Sequence, residues 1–259
     1  MGVYTALFAA GFRRQSTYRG ALVAGVTANV FFGVFRSAAF VALYRQRSQA
    51  GGLDLSDALT YVWVIQTQFG VVFTPWMWEW PEAVRSGAFV TELLRPGDVF
   101  GRRLALDLGR ASFMHLVRGM PMLLIPGLFY DLRLPTTVVG WAATAVTFLL
   151  AIVAAFELRF LVGAVSFWSP DFRGWWSVSF GFVWLFAGVV VPVEMFPGLL
   201  RLFGQYGPLS AIFVAPVRVI GGRDVLVTLL AQLLWAAVIG VACRRLMGRA
   251  ERMMVISGG

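Results

Sequence analysis

Few residues in this sequence could carry out chemistry. His115 is the only histidine and Cys243 the only cysteine, which excludes an intramolecular disulfide and a thiolate metal cluster. The motifs HExxH, GxSxG and GxxxxGKS/T do not occur, although zinc peptidases, serine hydrolases and nucleotide-hydrolysing proteins typically carry them. We interpret His115 as an interfacial or packing residue. We predict no catalytic residue, no metal site and no cofactor bound by this chain.

Charged and polar residues inside apolar runs are the next candidates. Glu157 and Arg159 lie within AAFELRFLVG. Either this pair lines an internal pathway, or the helix is long enough for its last turns to project into the cytosol. Arg36 lies in the middle of another apolar run, where it can reach the membrane surface or bind a carboxylate or backbone carbonyl of a neighbour. Gln66 and Gln68 can hydrogen-bond to a neighbouring helix or line a cavity.

The elements that would position these residues are membrane-spanning helices. The 259 residues are 59% hydrophobic and only 14% charged, whereas about 25% of residues are charged in soluble domains. The mean hydropathy is +0.75, and several apolar runs reach the roughly 20 residues needed to cross a bilayer. The sequence therefore predicts an all-α polytopic membrane protein, folded as a single transmembrane domain over residues 1–259.

Six spans are predicted, each a helix because the backbone must form its own hydrogen bonds within lipid. They cover residues 21–44, 58–78, 112–130, 137–168, 175–193 and 225–243. All 22 basic residues are arginine, and about twice as many lie on the side of the termini as on the other side, which places both termini in the cytoplasm. We attribute the net charge of +9 to this bias and to anionic membrane lipid, and we predict no binding of nucleic acid.

Two further segments are irregular. Residues 1–19 begin with an apolar stretch too short to span a bilayer, followed by arginines, which predicts an interfacial helix on the inner leaflet. The alternative is an unstructured start of the chain. Residues 193–224 are apolar but interrupted by glycine and proline, which predicts two short re-entrant helices at the extracellular side before the last span. The alternative for this segment is a seventh span.

Residues 80–99 form a short amphipathic segment between the second and third predicted spans. Pro81 suits the first turn of a helix, and Pro96–Gly97 would end it. On the cytosolic side of a membrane protein, such a segment either contacts a soluble partner or merely turns the chain.

The residue spacing within this segment predicts one short helix. Apolar or small residues recur at helical spacing and would form one stripe: Ala83, Gly87, Val90 and Leu94. Oppositely charged residues three positions apart would support the same helix: Glu82 with Arg85, and Glu92 with Arg95.

Longer stretches of the sequence resemble a known family. They include FRRQSTYRGALVAGVTANVFFG, LSDALTYVWVIQ, EAVRSGAFVTELLRPGDVFGRRLALDLGR, VGAVSFWSPDFRGWW and FAGVVVPVEMFPGLLRLFGQYGP. Together they cover nearly the whole chain, and the SG…ELLRP pattern is the most specific part. The chain resembles the permease subunits of type-2 ABC transporters, within a bacterial branch that is largely uncharacterised.

The resemblance implies a function in transport. Residues 80–99 would be a coupling helix that docks in a cleft of a separate ATP-binding subunit, present in two copies that bind ATP and magnesium. A second permease, identical or related, would complete the pathway in the bacterial inner membrane. The cargo of such an exporter would be hydrophobic or amphipathic: a drug, a lipid or a peptide. The residues assigned to coupling are Glu82, Arg85, Ser86, Gly87, Glu92, Leu94 and Arg95.

Three other classes of protein fit parts of the sequence. A substrate-binding membrane subunit of an energy-coupled importer also has about six helices, but it rarely keeps a charged cytosolic helix after its second span. A membrane-embedded enzyme would need a nucleophile or a metal-binding set. An autonomous secondary carrier would move its substrate with an ion gradient and without an ATPase.

Overall fold

The fold is all-helical over the part of the chain that can be described. The structure is a computed structural model, and it describes residues 2–17, 19–72, 78–169 and 171–257. Short 3₁₀ turns follow several helices, and within these ranges the only β-type pairing is an isolated bridge between Ala50 and Leu53. The α-helices are α1 (Val3–Ser16), α2 (Arg19–Tyr44), α3 (Leu55–Val72), α4 (Glu79–Arg85), α5 (Phe89–Leu93), α6 (Val99–Met114), α7 (Met120–Leu124), α8 (Val138–Ala164), α9 (Phe172–Phe186), α10 (Gly198–Tyr206), α11 (Ser210–Ile220) and α12 (Val225–Ser257).

Four helical rods among the described residues are long and apolar enough to cross a membrane. They are Leu22–Tyr44, Val99–Leu128, Val138–Phe167 and Val225–Arg252. They correspond to the first, third, fourth and sixth predicted spans. The protein is therefore an integral membrane protein by the length and composition of these helices.

Within the described residues, the second and fifth predicted spans are not among these long apolar helices. Helix α3 has 18 residues, contains Gln66 and Gln68, and ends at Val72; residues 73–77 of this predicted span lie outside the described residues. Helix α9 ends at Phe186, two residues before Gly188, whose φ of +68° is incompatible with a continuing α-helix. The count of six spans stays a prediction.

The third rod starts earlier than predicted, at Val99 instead of residue 112. Asp98 caps it, because its side chain accepts a hydrogen bond of 2.6 Å from the backbone N–H of Gly101. Helix α6 carries Arg102 and Arg103 in its first two turns and Arg110 nearer its end, and these arginines lower the apolar signal of the sequence. The arginines are accommodated because other parts of the protein cover them.

Two helices form the centre of the bundle. In α3, residues 58–68 are all buried, and in α11 the whole helix is buried. The two helices pack on each other and on α8, and α2 and α12 lie outside them. Residues 193–224, predicted as re-entrant helices, contain α10 and α11, so α11 is covered by protein and not by lipid. This covering explains why its internal Pro216 is tolerated.

Ion pairs hold the end of the bundle where α3 begins. Arg223 binds Asp57 of α3 at 2.5 Å, and Arg218 of α11 binds Asp224 at 2.8 Å. Glu194 is buried 3.8 Å from Arg218, and burial raises the pKa of its carboxyl group. These pairs fix α11 and the start of α12 to α3.

Helix α1 lies in backbone contact with α6. A Cβ atom on Gly11 would collide with the carbonyl oxygen of Leu106, and one on Gly109 would collide with the carbonyl oxygen of Phe8. Phe12 adds an edge-to-face ring contact with Phe113 at 5.2 Å. The predicted interfacial segment is thus a helix that packs closely on α6, and its position at a membrane surface stays a prediction.

We expect Gly109→Ala to destabilise this contact. The added methyl group forces α1 and α6 apart, at a cost of about 1–3 kcal/mol. Gly248→Ala is the matched control, because nothing lies within 4 Å of a Cβ atom there and alanine is favoured over glycine in a helix by about 0.5–1 kcal/mol. Unfolding in detergent followed by circular dichroism, with amide hydrogen exchange in α1, distinguishes the two. Equal stability of both variants would contradict the close contact.

A π-helical turn, His115–Gly119, interrupts the third rod between α6 and α7. Arg118 in this turn lies against Gly25 of α2 and Gly70 of α3. It donates a hydrogen bond of 2.9 Å to the side chain of Asn29. His115 is buried with its ring 4.3 Å from that of Phe148, in agreement with a packing role.

Candidate coupling surface

Residues 79–97, here called the α4–α5 segment, form two short helices joined at a kink. Helix α4 ends at Arg85, where the hydroxyl of Ser86 donates to the carbonyl oxygen of Glu82 at 2.8 Å. Gly87 has a φ of +75°, a conformation that costs glycine least. The prediction of one continuous helix is therefore wrong, because this left-handed residue breaks it.

One face of the α4–α5 segment is packed against the protein by aromatic side chains. Trp80 stacks on Phe160 of α8 with ring centroids 5.2 Å apart, and Phe89 meets Trp80 edge-to-face at 5.0 Å. Gly163 of α8 allows the indole of Trp80 to approach closely. Phe89 is completely buried. The segment is thus attached to the end of α8.

The opposite face is exposed, and it carries the predicted apolar stripe. Leu94 is 83% exposed and Val90 is 50% exposed, and Gly87 has no heavy atom within 4 Å of the position of a Cβ atom. Ser86 and Arg95 are exposed on the same segment. The stripe therefore does not pack on this chain, apart from the partly buried Ala83, and it leaves an uncovered surface with apolar and charged groups.

The two predicted ion pairs have different outcomes. Glu82 and Arg85 lie 3.6 Å apart, which confirms that pair at the surface. The pairing of Glu92 with Arg95 is wrong, because the carboxylate of Glu92 binds Arg103 of α6 at 2.5 Å. The guanidinium of Arg103 also lies 4.3 Å from the ring of Trp80, a cation–π contact that adds to the attachment.

Arg102 of α6 binds the backbone where the α4–α5 segment ends. Its guanidinium donates to the carbonyl oxygens of Glu92 at 2.5 Å, Arg95 at 2.9 Å and Pro96 at 3.2 Å, and also to that of Gly97. The last carbonyls of a helix have no partner within the helix. One buried arginine therefore supplies donors for the end of α5 and for the turn that follows.

A buried ionic cluster lies one to two turns further along α6. Asp107 binds Arg110 at 2.8 Å and Arg159 of α8 at 2.5 Å. Arg159 also donates to the carbonyl oxygen of Val72 at 3.3 Å, and Arg110 donates to that of Gly70 at 3.4 Å. The cluster thus joins α6 and α8 to the end of α3, directly behind the α4–α5 segment.

Glu157 and Arg159 do not act as a pair. At 3.6 residues per turn, two positions apart corresponds to about 200° around a helix. Glu157 is buried against Gly240 of α12, and Arg159 is buried against α6. Both interpretations from the sequence treated them together, and the structure separates them onto different faces of α8.

Two of the other predicted polar residues, Arg36 and Gln68, bind backbone groups of neighbouring elements. Arg36 donates to the carbonyl oxygen of Val189, which agrees with one of the options predicted for it. The amide of Gln68 donates to the carbonyl oxygen of Ile212 at 2.9 Å. Gln66 is buried, and its backbone carbonyl accepts a hydrogen bond of 3.2 Å from Asn29. These contacts join α2 and α3 to later parts of the chain.

The residues that attach the segment were not predicted. Arg102, Arg103 and Asp107 lie between the second and third predicted spans, where no helix is expected from the apolar pattern. The signal that could have revealed them is Asp98 followed by VFGRRLALDLGR, because an aspartate before a periodic run indicates the start of a helix.

Comparison with known proteins identifies the family of this chain. Among curated proteins and solved structures, nothing matches this chain. A family model described as "ABC-2 family transporter protein" matches residues 34–258, which include the α4–α5 segment, the buried ionic cluster, the end of the first long rod and the whole of the other three. The match covers well over half of the sequence, and the chain therefore belongs to the ABC-2 transporter family, as a permease subunit of an ABC transporter.

Proposed function

We propose that this chain is the permease of an ATP-driven exporter and that the exposed face of the α4–α5 segment docks on the ATP-binding subunit. The observation that carries the proposal is the contrast between the two faces of the segment. One face is attached to α6 and α8 by Arg102, Arg103 and Trp80. The other presents Leu94 and Arg95 to a partner.

The attachment suits the transmission of movement. A partner that pushes on the exposed face acts on a segment whose backbone and rings are bound to two long rods. The Asp107 cluster continues this connection to α3. Where packed helices have two stable arrangements, a small local shift is converted into a movement of whole helices, and the proposal requires such a second arrangement here.

The rest of the assembly follows the family. Two ATP-binding subunits bind ATP and magnesium, and a second permease, a copy of this chain or a related one, completes the pathway. In this proposal the chain has six spans with both termini in the cytoplasm of a bacterial cell, and the α4–α5 segment therefore faces the ATPase. The cargo class is hydrophobic or amphipathic, in keeping with exposed aromatic side chains on α2 such as Phe31 and Phe35.

The test is reconstitution with the cognate ATPase in proteoliposomes. A Leu94→Glu, Arg95→Glu variant should bind the ATPase at least about tenfold more weakly, because a central apolar contact is lost and a charge is reversed. Transport-coupled ATP hydrolysis should fall with it. Arg47→Glu, an exposed change in the α2–α3 loop, is the control and should bind normally. Unchanged binding and coupled hydrolysis in the double variant would refute the docking surface, and transport driven by an ion gradient without ATPase would indicate a secondary carrier.

A further inference from the structure

A cavity of about 90 Å³ lies behind the α4–α5 segment, between α1, α4, α6 and α8. Part of its wall is apolar, formed by Leu106, Phe156 and Phe160. A water molecule occupies about 30 Å³ of liquid volume, so the cavity has room for a small polar group of a few heavy atoms. The docking surface proposed above does not use it.

The charged residues that line the cavity carry an excess of positive charge. Four arginines contribute to the lining, with two carboxylates, those of Glu79 and Asp107. Arg14 binds Glu79 at 2.8 Å, and Arg103 binds Glu92 from outside the lining. Two guanidinium groups, those of Arg110 and Arg159, converge on Asp107. Even with Glu92 counted, the positive charges exceed the negative ones.

The two deepest arginines are held in place. The side chains of Arg110 and Arg159 are only 6% and 7% exposed, and each also donates to a backbone carbonyl at the end of α3. A fixed guanidinium with little solvent around it attracts an anion more strongly than one at a wet surface. Because the side chain is already ordered in the folded protein, little further conformational entropy is lost when an anion binds. The cavity is therefore pre-organised for a negatively charged group.

We propose that this cavity binds a phosphate group, either that of an anionic phospholipid headgroup or that of a soluble phosphate compound. Guanidinium groups bind phosphate oxygens through paired hydrogen bonds. The apolar wall would contact the carbon atoms next to the phosphate. Arg14 on α1 lies at the partly exposed edge of the cavity, and α1 also exposes apolar residues such as Val3 and Tyr4. Bound phosphate would join α1 to α6 and α8.

The experiment uses the detergent-solubilised full chain without any ATPase, so its outcome is independent of the docking proposal. Three probes are titrated by calorimetry: dioctanoyl-phosphatidylglycerol, dioctanoyl-phosphatidylcholine and inorganic phosphate. Arg14→Gln removes a charge at the edge of the cavity, and Leu106→Trp fills the cavity while leaving every charge in place. Arg13→Gln is the matched control, because it removes the same charge from the neighbouring exposed position of α1 without touching the lining.

We expect phosphatidylglycerol to bind at least about tenfold more tightly than phosphatidylcholine, because the choline of the latter places a positive charge beside its phosphate, and the arginines of the lining would repel that charge. Arg14→Gln and Leu106→Trp should each weaken that binding about tenfold, and Arg13→Gln should not. If inorganic phosphate binds as tightly as phosphatidylglycerol with the same sensitivity to the variants, the occupant is a soluble phosphate. If neither phosphatidylglycerol nor inorganic phosphate, the two probes with net negative charge, binds better than phosphatidylcholine, or if the three variants behave alike, the proposal is overturned.

Discussion

An Asp107→Asn variant should lose about 3–5 kcal/mol of its free energy of unfolding, because removing one partner leaves buried charges without compensation. Arg110 and Arg159 both bind this carboxylate. Asparagine has nearly the same shape, so the loss reports the charge and not the packing. The two guanidinium groups would then repel each other in a region with little water. No other single side chain described here joins two buried arginines of different helices.

Unfolding in detergent mixtures, followed by circular dichroism, measures this loss. Glu82→Gln is the matched control, since it makes the same change in an exposed pair at 3.6 Å, and exposed pairs contribute about 0–1 kcal/mol. The double variant Asp107→Asn, Arg159→Gln should be less destabilised than the sum of the two single changes, because the residues interact directly. A loss no larger than that of Glu82→Gln would show that the cluster does not stabilise the fold.

An Arg102→Met variant should loosen the α4–α5 segment while leaving the long rods folded. Methionine keeps most of the volume of the arginine stem but donates no hydrogen bond. The carbonyl oxygens of Glu92, Arg95 and Pro96 would lose their donor, and each hydrogen bond to a charged group is worth about 1.5–3 kcal/mol. Amide hydrogen exchange in residues 86–98 should therefore accelerate about tenfold to a hundredfold.

The comparison for this variant is Arg95→Met, which removes a charge from an exposed side chain in the same segment. In the chain without its partner, Arg95→Met should leave hydrogen exchange nearly unchanged, whereas both variants should weaken ATPase binding if the docking proposal holds. Arg102→Met would then act through the shape of the segment and Arg95→Met through a direct contact. Normal exchange rates in Arg102→Met would contradict the anchoring role of Arg102.

The membrane class and the mixed apolar and charged character of residues 80–99 could be predicted because both depend on local composition. Long apolar runs define the rods, and a charged segment between them is visible in the sequence. The internal shape of that segment was not predictable from spacing. A helical wheel assumes one continuous helix, and Gly87 divides it, so that Trp80 and Phe89 are buried while most of the predicted stripe is exposed.

The partners of the buried charged residues could not be predicted from the sequence either. Asp107 and Arg159 are 52 positions apart, and Glu92 reaches Arg103 across a turn. Short spacings in the sequence suggested that Glu92 pairs with Arg95 and Glu157 with Arg159. Without the tertiary structure, only residues close together along one helix can be recognised as possible partners. In the folded protein α6 lies between α1 and α8, and its arginines bind the α4–α5 segment and the end of α3.

The π-helical turn at His115–Gly119 means that the third rod carries one residue more than a regular α-helix of the same extent. Each residue turns an α-helix by about 100°, so this extra residue changes the direction in which all later side chains of the rod point. Arg118 thereby faces Gly25 and Gly70, while the residues of α6 keep their own direction toward α1 and α8. The rod is in effect two helices with independent phases joined end to end. An insertion or deletion of one residue on one side of the turn can be accommodated by the turn itself. The ionic cluster on the other side would then keep its orientation.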